Sequence, residues 1–287
     1  MKVLLLGSGG QLGWELQRAQ PAAVDLVAPE RAELDVTDAT AIRRVVEDLA
    51  PDWIVNAAAY TAVDRAESEP ELARAINRDG AAHVAQAAAS KGSRLIHVST
   101  DFIFDGALGR PYRPDDAPHP LGVYGASKLA GERAVLEALG ERALVLRTAW
   151  LYSVHGANFV KTMLRLMAGD EPLRVVDDQV GTPTWAGGLA AAVWRAIDGG
   201  IGGVHHWTDA GVASWYDFAV AIREEALVLG LLDRAVPVQP IPSSAFPTPA
   251  RRPSFSVLDK VQSWPLLGTP PHWRTSLRRM LHEMAHG

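Results

Sequence analysis

The sequence predicts an α/β protein with a doubly wound parallel sheet and a smaller, mainly C-terminal region added to it. Short continuous apolar runs, such as residues 2–6 and 53–56, suit parallel strands that are buried on both faces. Stretches with helical periodicity alternate with these runs as far as about residue 150. A glycine-rich turn follows the first run directly, as in the first βα turn of a Rossmann-type sheet. We therefore expect a dinucleotide-binding region of that type.

Composition excludes several classes of function. The net charge of −5 gives no general attraction to nucleic acid or to an anionic membrane. No apolar run approaches the ~20 residues that a membrane span needs. The chain has no cysteine, which excludes disulfides, thiolate catalysis and thiolate metal sites. Residues 1–6 lead straight into the glycine turn, so we expect a first strand and not a signal peptide, and a cytoplasmic protein.

The glycine turn is the first candidate site. Gly7, Gly10 and Gly13 form a G-x-x-G-x-x-G pattern before a helix predicted over residues 14–20. Missing side chains let the backbone turn tightly and approach a pyrophosphate at a helix N-terminus. A purely structural turn could use the same glycines. A further strand over residues 24–28 completes a strand–glycine–helix–strand order, and that order favours dinucleotide binding.

The second strand ends at Glu30 and Arg31, which leave the cofactor preference open. An acidic residue here can hold the ribose hydroxyls of NAD, whereas an arginine can accept the 2′-phosphate of NADP. Asp35 follows, before a helix whose N-cap we expect to be Thr37 or Asp38. Asp35 could reach the adenine amine or could be a solvated turn residue.

Small and polar residues follow the next two strands, at the sheet edge where ligands bind. The three alanines at 57–59 leave room for a flat ligand, although they could also pack a crossover. Ser99, Thr100 and Asp101 end a strand that begins at residue 94. The Thr100 hydroxyl could hydrogen-bond a substrate carbonyl oxygen, or could belong to an ordinary turn.

Tyr124 and Lys128 are the candidate catalytic pair. They lie four residues apart and share one face of a helix predicted to run to about residue 139. A cation close to a tyrosine oxygen lowers its pKa, and such a tyrosine can exchange a proton at a carbonyl or alcohol centre. The pair alone also fits a solvated helix face. A long Gly-, Pro- and Asp-rich loop over residues 105–123 precedes it, and loops of this length are often functional.

Beyond residue 150 the pattern is looser. We assign residues 1–150, with a return segment at about 185–210, to the dinucleotide-binding region, and residues 151–184 and 211–287 to a substrate-binding region. Trp150, which follows a strand, could pack against a sugar or base face or could cap the core.

Three further segments complete the prediction. Helices are predicted over about residues 71–91 and 273–286, and the proline-rich stretch 237–253 is expected to be non-helical. Asp177 and Asp178 lack a third ligand at convincing spacing, so we expect no metal there.

Thr100, Tyr124 and Lys128 stand downstream of the glycine turn in the order and spacing of the short-chain dehydrogenase/reductases. The chain resembles the extended branch of that superfamily, and within it the dTDP-4-dehydrorhamnose reductase family, over essentially its whole length. The acidic run at 66–72 and the Pro-Thr-Pro-Ala stretch at 247–250 are the narrower motifs that carry the subfamily assignment. Broader matches lie at residues 7–16, 55–59, 62–64, 99–101, 123–132, 147–150, 159–166, 178–184 and 252–253.

The resemblance implies hydride transfer from NADH or NADPH to C4 of dTDP-4-dehydro-L-rhamnose. Tyr124 would be the general acid, Lys128 would bind the nicotinamide ribose and lower the Tyr124 pKa, and Thr100 would hydrogen-bond the reacting oxygen. Together with the motifs, it assigns cofactor binding to Gly7, Gly10, Gln11, Leu12, Glu30, Asp35, Val36, Ala57, Ala59, Tyr60, Thr61, Tyr124 and Lys128. It assigns substrate contacts to Thr100, Asp101, Trp150, Asn158, Lys161 and Arg252, the last three to the phosphates of a nucleotide sugar, because an anionic diphosphate needs donors and cations.

One departure from the resemblance concerns magnesium. Some members of the family form dimers around Mg²⁺ held by acidic residues. Glu15 and Glu283 stand at two of those positions, but Gly187 stands at the third. With one ligand missing, the sequence argues against the metal site and against a dimer built on it, so a monomer and a homodimer both stay open.

Two other functions fit parts of the pattern. Another nucleotide-sugar enzyme, a 4-epimerase or a 4,6-dehydratase, would share the fold and the Tyr–Lys pair. A dehydratase normally has acidic residues directly after the Thr, and Phe102 after Asp101 argues against it. A non-catalytic regulatory subunit, like the reductase-shaped partner of methionine adenosyltransferase, would bind cofactor but never oxidise it with a sugar nucleotide.

Overall fold

The computed structural model describes residues 1–286 and is built on one six-stranded parallel sheet. The strands are β1 Lys2–Leu6, β2 Asp25–Val27, β3 Trp53–Asn56, β4 Arg94–Thr100, β5 Ala143–Thr148, β6 Leu151–Tyr152, β7 Leu173–Val176, β8 Val180–Gly181, β9 Thr184–Trp185, β10 Gly203–His206, β11 Ala213–Ser214 and β12 Val238–Ile241. The main sheet has the order β10-β5-β4-β3-β1-β2, and all its neighbours are parallel. The predicted doubly wound parallel sheet is therefore confirmed.

Helices cover both faces of this sheet and build the smaller region. They are α1 Gln11–Arg18, α2 Ala39–Leu49, α3 Val63–Ala66, α4 Pro70–Arg74, α5 Ala81–Lys91, α6 Val123–Leu139, α7 Phe159–Met167, α8 Ala186–Asp198, α9 Trp215–Val228, α10 Trp264–Leu267 and α11 Trp273–His286. Among the described residues, no helix combines the length and the apolar character needed to cross a membrane.

Side chains from alternate strand positions fill two separate cores, because successive residues of a strand face opposite sides of the sheet. Leu4 and Leu6 pack with helices α2, α5 and α6 on one face. Val3 and Leu5 pack with α1 and α8 on the other. Continuous apolar strands were the sequence signal for this arrangement, and burial on both faces is its physical cause.

A third core lies in the C-terminal half. It brings together buried side chains of α7, α9 and α11, among them Met163, Met167, Phe218, Leu277 and Met280. These helices have ordinary start signals: the Asn158 side chain caps α7, and Ser214 with Asp217 forms a capping box on α9.

Two predicted segments differ from the structure. The helix expected over residues 71–91 is interrupted by a π-helical stretch, Ala75–Gly80, between α4 and α5. Asn77 in this stretch is buried, and its amide bonds the backbone of Tyr60 and the hydroxyl of Ser127. The stretch 237–253, expected to be non-helical, contains a short 3₁₀ helix, Ser243–Ala245; the rest of it is non-helical and includes strand β12, which pairs with β7.

The contact between α6 and the π-helical stretch allows no side chain at Gly131. A Cβ atom on Gly131 would lie 2.1 Å from the carbonyl oxygen of Asn77. We expect Gly131→Ala to lower the free energy of unfolding by about 1–3 kcal/mol, the usual cost of overpacking, although alanine is the better helix former. Urea denaturation measures this.

The matched control is Gly109→Ala, because a Cβ atom there meets nothing within 4 Å. This control should stay within about 0.5 kcal/mol of the parent protein. Equal stability of both variants would show that α6 does not pack this closely.

Candidate active site

The glycine turn forms one wall of a cleft in the dinucleotide-binding half. Gly7 has a φ of +83°, and a Cβ atom on it would lie 2.6 Å from the backbone nitrogen of Ala58. A Cβ atom on Gly13 would lie 2.2 Å from the carbonyl oxygen of Gly7. Gly10 caps α1 without a side chain, so the first N–H groups of that helix remain available to an anion. The local backbone therefore fits a pyrophosphate.

This cleft has a volume of about 480 Å³ and brings together most of the predicted cofactor residues. Its lining includes Gly7, Gly10, Glu30, Asp35, Val36, Ala57 and Ala59. It also includes Ala58, the middle alanine of the predicted loop, and Ser8, Gly9, Leu34 and Ile76, which the motifs did not single out. The last two are apolar residues with no sequence signal of their own, because their place in the cleft depends on how the strands and helices pack.

Six predicted cofactor residues do not line this cleft, and two of them, Tyr124 and Lys128, are described below. Leu12 and Tyr60 are buried, so their side chains belong to the two sheet cores and only their backbones can face a ligand. The Tyr60 hydroxyl donates to Glu69 at 2.5 Å. The Gln11 side chain points to the C-terminal half, where its amide oxygen accepts from Asn158 at 2.9 Å. Thr61 is exposed beyond the cleft.

At the adenosine end of the cleft, Arg31 and Asp35 form an ion pair at 3.1 Å. The backbone N–H of Thr37 is the main cause of a lowered Asp35 pKa, and the Thr37 hydroxyl and Arg31 add to it. Asp38, one of the two predicted N-caps, caps α2 by accepting from the N–H groups of Thr40 and Ala41. Asp35 is thus a fixed acceptor and not a free turn acid.

Strand β4 delivers Thr100 and Asp101 to the same sheet edge. The Thr100 hydroxyl donates to Asp101 Oδ1 at 3.1 Å and accepts from the Phe102 N–H. Asp101 is only 2% exposed, and its Oδ2 has no hydrogen-bond partner within residues 1–286. Burial raises the pKa of Asp101 from 3.8 to about 6, and the hydroxyls of Ser256 and Thr100 oppose the rise. Ser256, which sequence reasoning missed, comes from 155 positions further along the chain.

Tyr124 lies at the start of α6, beside these groups. Glu67 accepts from the Val123 N–H and so caps this helix. Burial raises the pKa of Tyr124 to about 12, the Thr100 hydroxyl opposes the rise, and the Asp101 carboxylate adds to it. The expected lowering of this pKa by Lys128 is therefore not found. A phenol with so high a pKa stays protonated at neutral pH, which suits a proton donor.

Lys128 is buried, and its ammonium group points to the sheet. Its Nζ donates to the carbonyl oxygen of Val98 on β4 at 2.7 Å. Burial lowers the Lys128 pKa to about 8, and the charge of Glu132 one turn away partly restores it. Glu132 is held by Arg147 in a buried ion pair at 2.8 Å. Because an ammonium has three donors, two N–H groups of Lys128 remain available.

Trp150 has a more specific setting than the sequence indicated. Its φ of +46° is unusual for a residue other than glycine. Its indole stacks on Trp215 at a centroid distance of 3.6 Å, and a Cβ atom on Gly181 would lie 2.6 Å from that indole. The ring therefore belongs to the aromatic packing of the third core. Trp215 carried no sequence signal as a partner of Trp150.

The three predicted phosphate ligands are engaged with the protein. Asn158 caps α7 through the Lys161 N–H and bonds the carbonyl oxygen of Ser153. The Lys161 Nζ donates to Val154 at 3.1 Å. Arg252 forms an ion pair with Asp64 at 2.7 Å. Asn158 also bonds Gln11, so this part of the C-terminal half touches the glycine turn.

The residues around Glu15 and Glu283 do not fit a magnesium ion. The Arg18 guanidinium bridges the two carboxylates, at 2.8 Å to Glu15 and 3.0 Å to Glu283. Glu15 also accepts from the Ser153 hydroxyl. Over the described part of the chain, no three His, Asp or Glu side chains converge as metal ligands would.

Known proteins resemble this chain over nearly its whole length. The family model described as the RmlD substrate binding domain matches residues 1–286. The chain is 41% identical to the dTDP-4-dehydrorhamnose reductase of Escherichia coli (strain K12), over 99% of this chain and 98% of the relative.

Two solved structures are also similar. A dTDP-4-dehydrorhamnose reductase from Clostridium acetobutylicum has a TM-score of 0.93 at 38% identity and covers 99% of both chains. One from Bacillus anthracis, in complex with NADP, has a TM-score of 0.92 at 36% identity and covers 98% of this chain and 99% of its own.

The raised pKa of Asp101 predicts a pH-dependent contribution to stability. Between pH 4 and 6 the folded chain holds a proton on Asp101 that the unfolded chain has lost, so this contribution is full below about pH 4 and is lost as the pH rises to 6. The free energy of unfolding of the wild type, minus that of Asp101→Asn, should fall by roughly 2–3 kcal/mol between pH 4 and 7. Urea denaturation at several pH values measures the difference.

The control is Asp105→Asn, because the Ala107 N–H lowers the Asp105 pKa. The free energy of unfolding of the wild type, minus that of Asp105→Asn, should rise and not fall over the same pH range. A pH-independent difference for Asp101→Asn would mean that its carboxyl titrates as in the unfolded chain.

Proposed function

The chain belongs to the dTDP-4-dehydrorhamnose reductase family, and on that premise we propose that it reduces the C4 ketone of dTDP-4-dehydro-L-rhamnose to dTDP-L-rhamnose. The observation that carries the proposal is that a cofactor-sized cleft and the candidate catalytic side chains lie at the same edge of the sheet. A cleft suited to a dinucleotide lies beside the carboxyl end of β4, where Thr100, Tyr124 and Lys128 gather. A reduced nicotinamide, as NADPH or NADH, supplies the hydride when bound there.

Tyr124 is the proposed general acid. Reduction at C4 turns a carbonyl oxygen into an alkoxide, which must receive one proton. Tyr124 is protonated at neutral pH because its pKa is about 12, and it passes that proton to the C4 oxygen. The phenolate that remains recovers a proton from solvent. The Thr100 hydroxyl, which is close to Tyr124 and Asp101, hydrogen-bonds the same oxygen as its charge develops.

Lys128 has the proposed task of holding the nicotinamide ribose. The bond to Val98 fixes its ammonium on the sheet and leaves two donors for ribose hydroxyls. Burial favours the neutral amine and the Glu132 carboxylate favours the charged form, so Glu132 helps to keep the ammonium ionised. With a cofactor bound, Lys128 would hold the nicotinamide ribose, and its positive charge would stabilise the phenolate of Tyr124.

Arg31 is the proposed determinant of cofactor preference. It lines the cleft with Glu30 and Asp35, and its side chain is 72% exposed, so it can turn to a 2′-phosphate. The two acidic residues offer acceptors for free ribose hydroxyls. The site is therefore proposed to accept both cofactors, with Arg31 favouring NADPH.

Turnover is measured as loss of 340 nm absorbance from NADH and NADPH, with the keto sugar generated in the cuvette. We expect Tyr124→Phe to reduce turnover by about 10²–10⁴-fold and to leave cofactor affinity within twofold, because only the proton donor is lost. Lys128→Met should weaken both turnover and cofactor binding.

Tyr216→Phe is the matched control, since Tyr216 lies on α9 in the third core, and it should retain the parent activity. Full turnover by Tyr124→Phe would refute the acid assignment. If the wild-type protein binds cofactor but oxidises none with this sugar, the proposed substrate is wrong.

Arg31→Ala tests the cofactor preference. Loss of a charge-assisted hydrogen bond to a phosphate costs about 1.5–3 kcal/mol, so KM for NADPH should rise roughly 10- to 100-fold while KM for NADH changes little. Arg44→Ala, an exposed arginine of α2 outside the cleft, should change neither value. An equal rise for both cofactors would show that Arg31 does not recognise the 2′-phosphate.

A further inference from the structure

A bidentate ion pair joins two distant parts of the chain beside the candidate active site. Asp64 lies in α3, directly after the alanine loop of the cofactor cleft. Arg252 lies 188 residues later, in the proline-rich stretch. The Asp64 carboxylate accepts from Arg252 Nη2 at 2.7 Å and from Nη1 at 3.1 Å. Both side chains are only partly exposed, at 22% for Arg252 and 38% for Asp64, so solvent screens the pair less than at an open surface.

The segment that carries Arg252 is held at more than one point. Asp64 also accepts from the backbone N–H of Ala250 at 3.2 Å. Arg252 Nη1 donates in addition to the Thr248 hydroxyl and to the Ala250 carbonyl oxygen. One carboxylate thus fixes both the backbone and the side chain of this segment, and Nη1 has no donor left.

Because Asp64 binds one edge of the Arg252 guanidinium, only the other edge remains available to a ligand. A guanidinium has five N–H donors in one plane, and two neighbouring nitrogens form a fork that matches a carboxylate or a phosphate. Asp64 occupies the fork made by Nη1 and Nη2. Across residues 1–286, Arg252 Nε makes no hydrogen bond, and Nη2 makes one. The edge formed by Nε and Nη2 can therefore grip a second oxyanion.

This edge belongs to a segment that runs past the proposed catalytic groups. Ala250, Arg251 and Pro253 line a small cleft together with Phe102 and Tyr124. The Ser256 hydroxyl, from the same segment, opposes the burial that raises the Asp101 pKa. The position of Arg252 is consequently tied to the place where a substrate would meet Tyr124.

We propose that Asp64 is a positioning residue for the substrate: it holds Arg252 end-on, so that the free Nε–Nη2 edge grips the diphosphate of the nucleotide sugar. This inference rests on the proposed function, because it takes the nucleotide diphosphate from the proposed substrate. Asp64 itself touches no substrate in this arrangement. Its effect passes entirely through Arg252, and this makes the inference testable by a double-mutant cycle.

Binding of dTDP, measured by isothermal titration calorimetry on the full chain with NADPH present, is the test. Asp64→Asn keeps the shape of the side chain but turns an N–H group toward Arg252, so we expect a roughly 10-fold weaker dTDP affinity. Arg252→Gln should weaken it at least as much. The double variant should bind dTDP as Arg252→Gln does, because Asp64 has no function without its arginine. NADPH affinity should stay within twofold throughout.

Three further variants make the result specific. Arg234→Gln removes an exposed arginine that pairs with Asp170, and Glu71→Gln removes an exposed acidic charge on the helix after α3. Both should leave dTDP affinity within twofold. Arg252→Lys keeps the charge but loses the fork, so it should weaken dTDP as Arg252→Gln does, even if Asp64→Asn folds poorly.

Several results would overturn the inference. Unchanged dTDP binding by Asp64→Asn would mean that Asp64 does not position Arg252 for the ligand. Tighter binding would mean that Asp64 competes with the ligand for Arg252. Additive effects in the double variant would mean that Asp64 acts by another route, and a parallel loss of NADPH affinity would mean a general structural role. A wild-type protein that binds dTDP but does not oxidise NADPH with the keto sugar would refute only the proposed function. A wild-type protein that does not bind dTDP would refute both proposals.

Discussion

The candidate active site depends on the position of strand β4 in the parallel sheet. β4 pairs with β3 on one side and with β5 on the other, so its direction and register are fixed by two ladders. Its carboxyl end places Thr100 and Asp101 at the edge beside the glycine turn. Its Val98 carbonyl oxygen receives Lys128, which fixes the candidate catalytic helix on the same strand. A shift of β4 by one residue would turn all its side chains to the opposite face and would separate these groups.

Burial gives this site its electrostatic character. It raises the pKa of Asp101 and Tyr124 and lowers that of Lys128, so each group is moved toward its neutral form. The cost of charge in the buried site explains why the phenol remains protonated. A buried phenol that keeps its proton can donate it to the oxygen of a ketone that is being reduced.

The C-terminal half contributes to the candidate site through contacts between residues that are far apart in the sequence. Arg252 reaches Asp64, Ser256 reaches Asp101, and Asn158 reaches Gln11 of the glycine turn. Each of these contacts joins a segment of the smaller region to a helix or turn of the dinucleotide-binding half. Glu283 of α11 makes a further contact of this kind, because the Arg18 guanidinium of α1 lies between it and Glu15.

The sequence by itself determined the features that local patterns control. Apolar runs of strand length gave the sheet, the glycine spacing gave the turn, and the four-residue spacing of Tyr124 and Lys128 gave a shared helix face, because each depends on neighbours within a few residues. Only the tertiary structure decided where Lys128 points, that the Tyr124 pKa rises, that Trp150 stacks on Trp215, and that Arg252 pairs with Asp64. These features depend on burial and on partners far away in the sequence, and a local pattern carries no information about either.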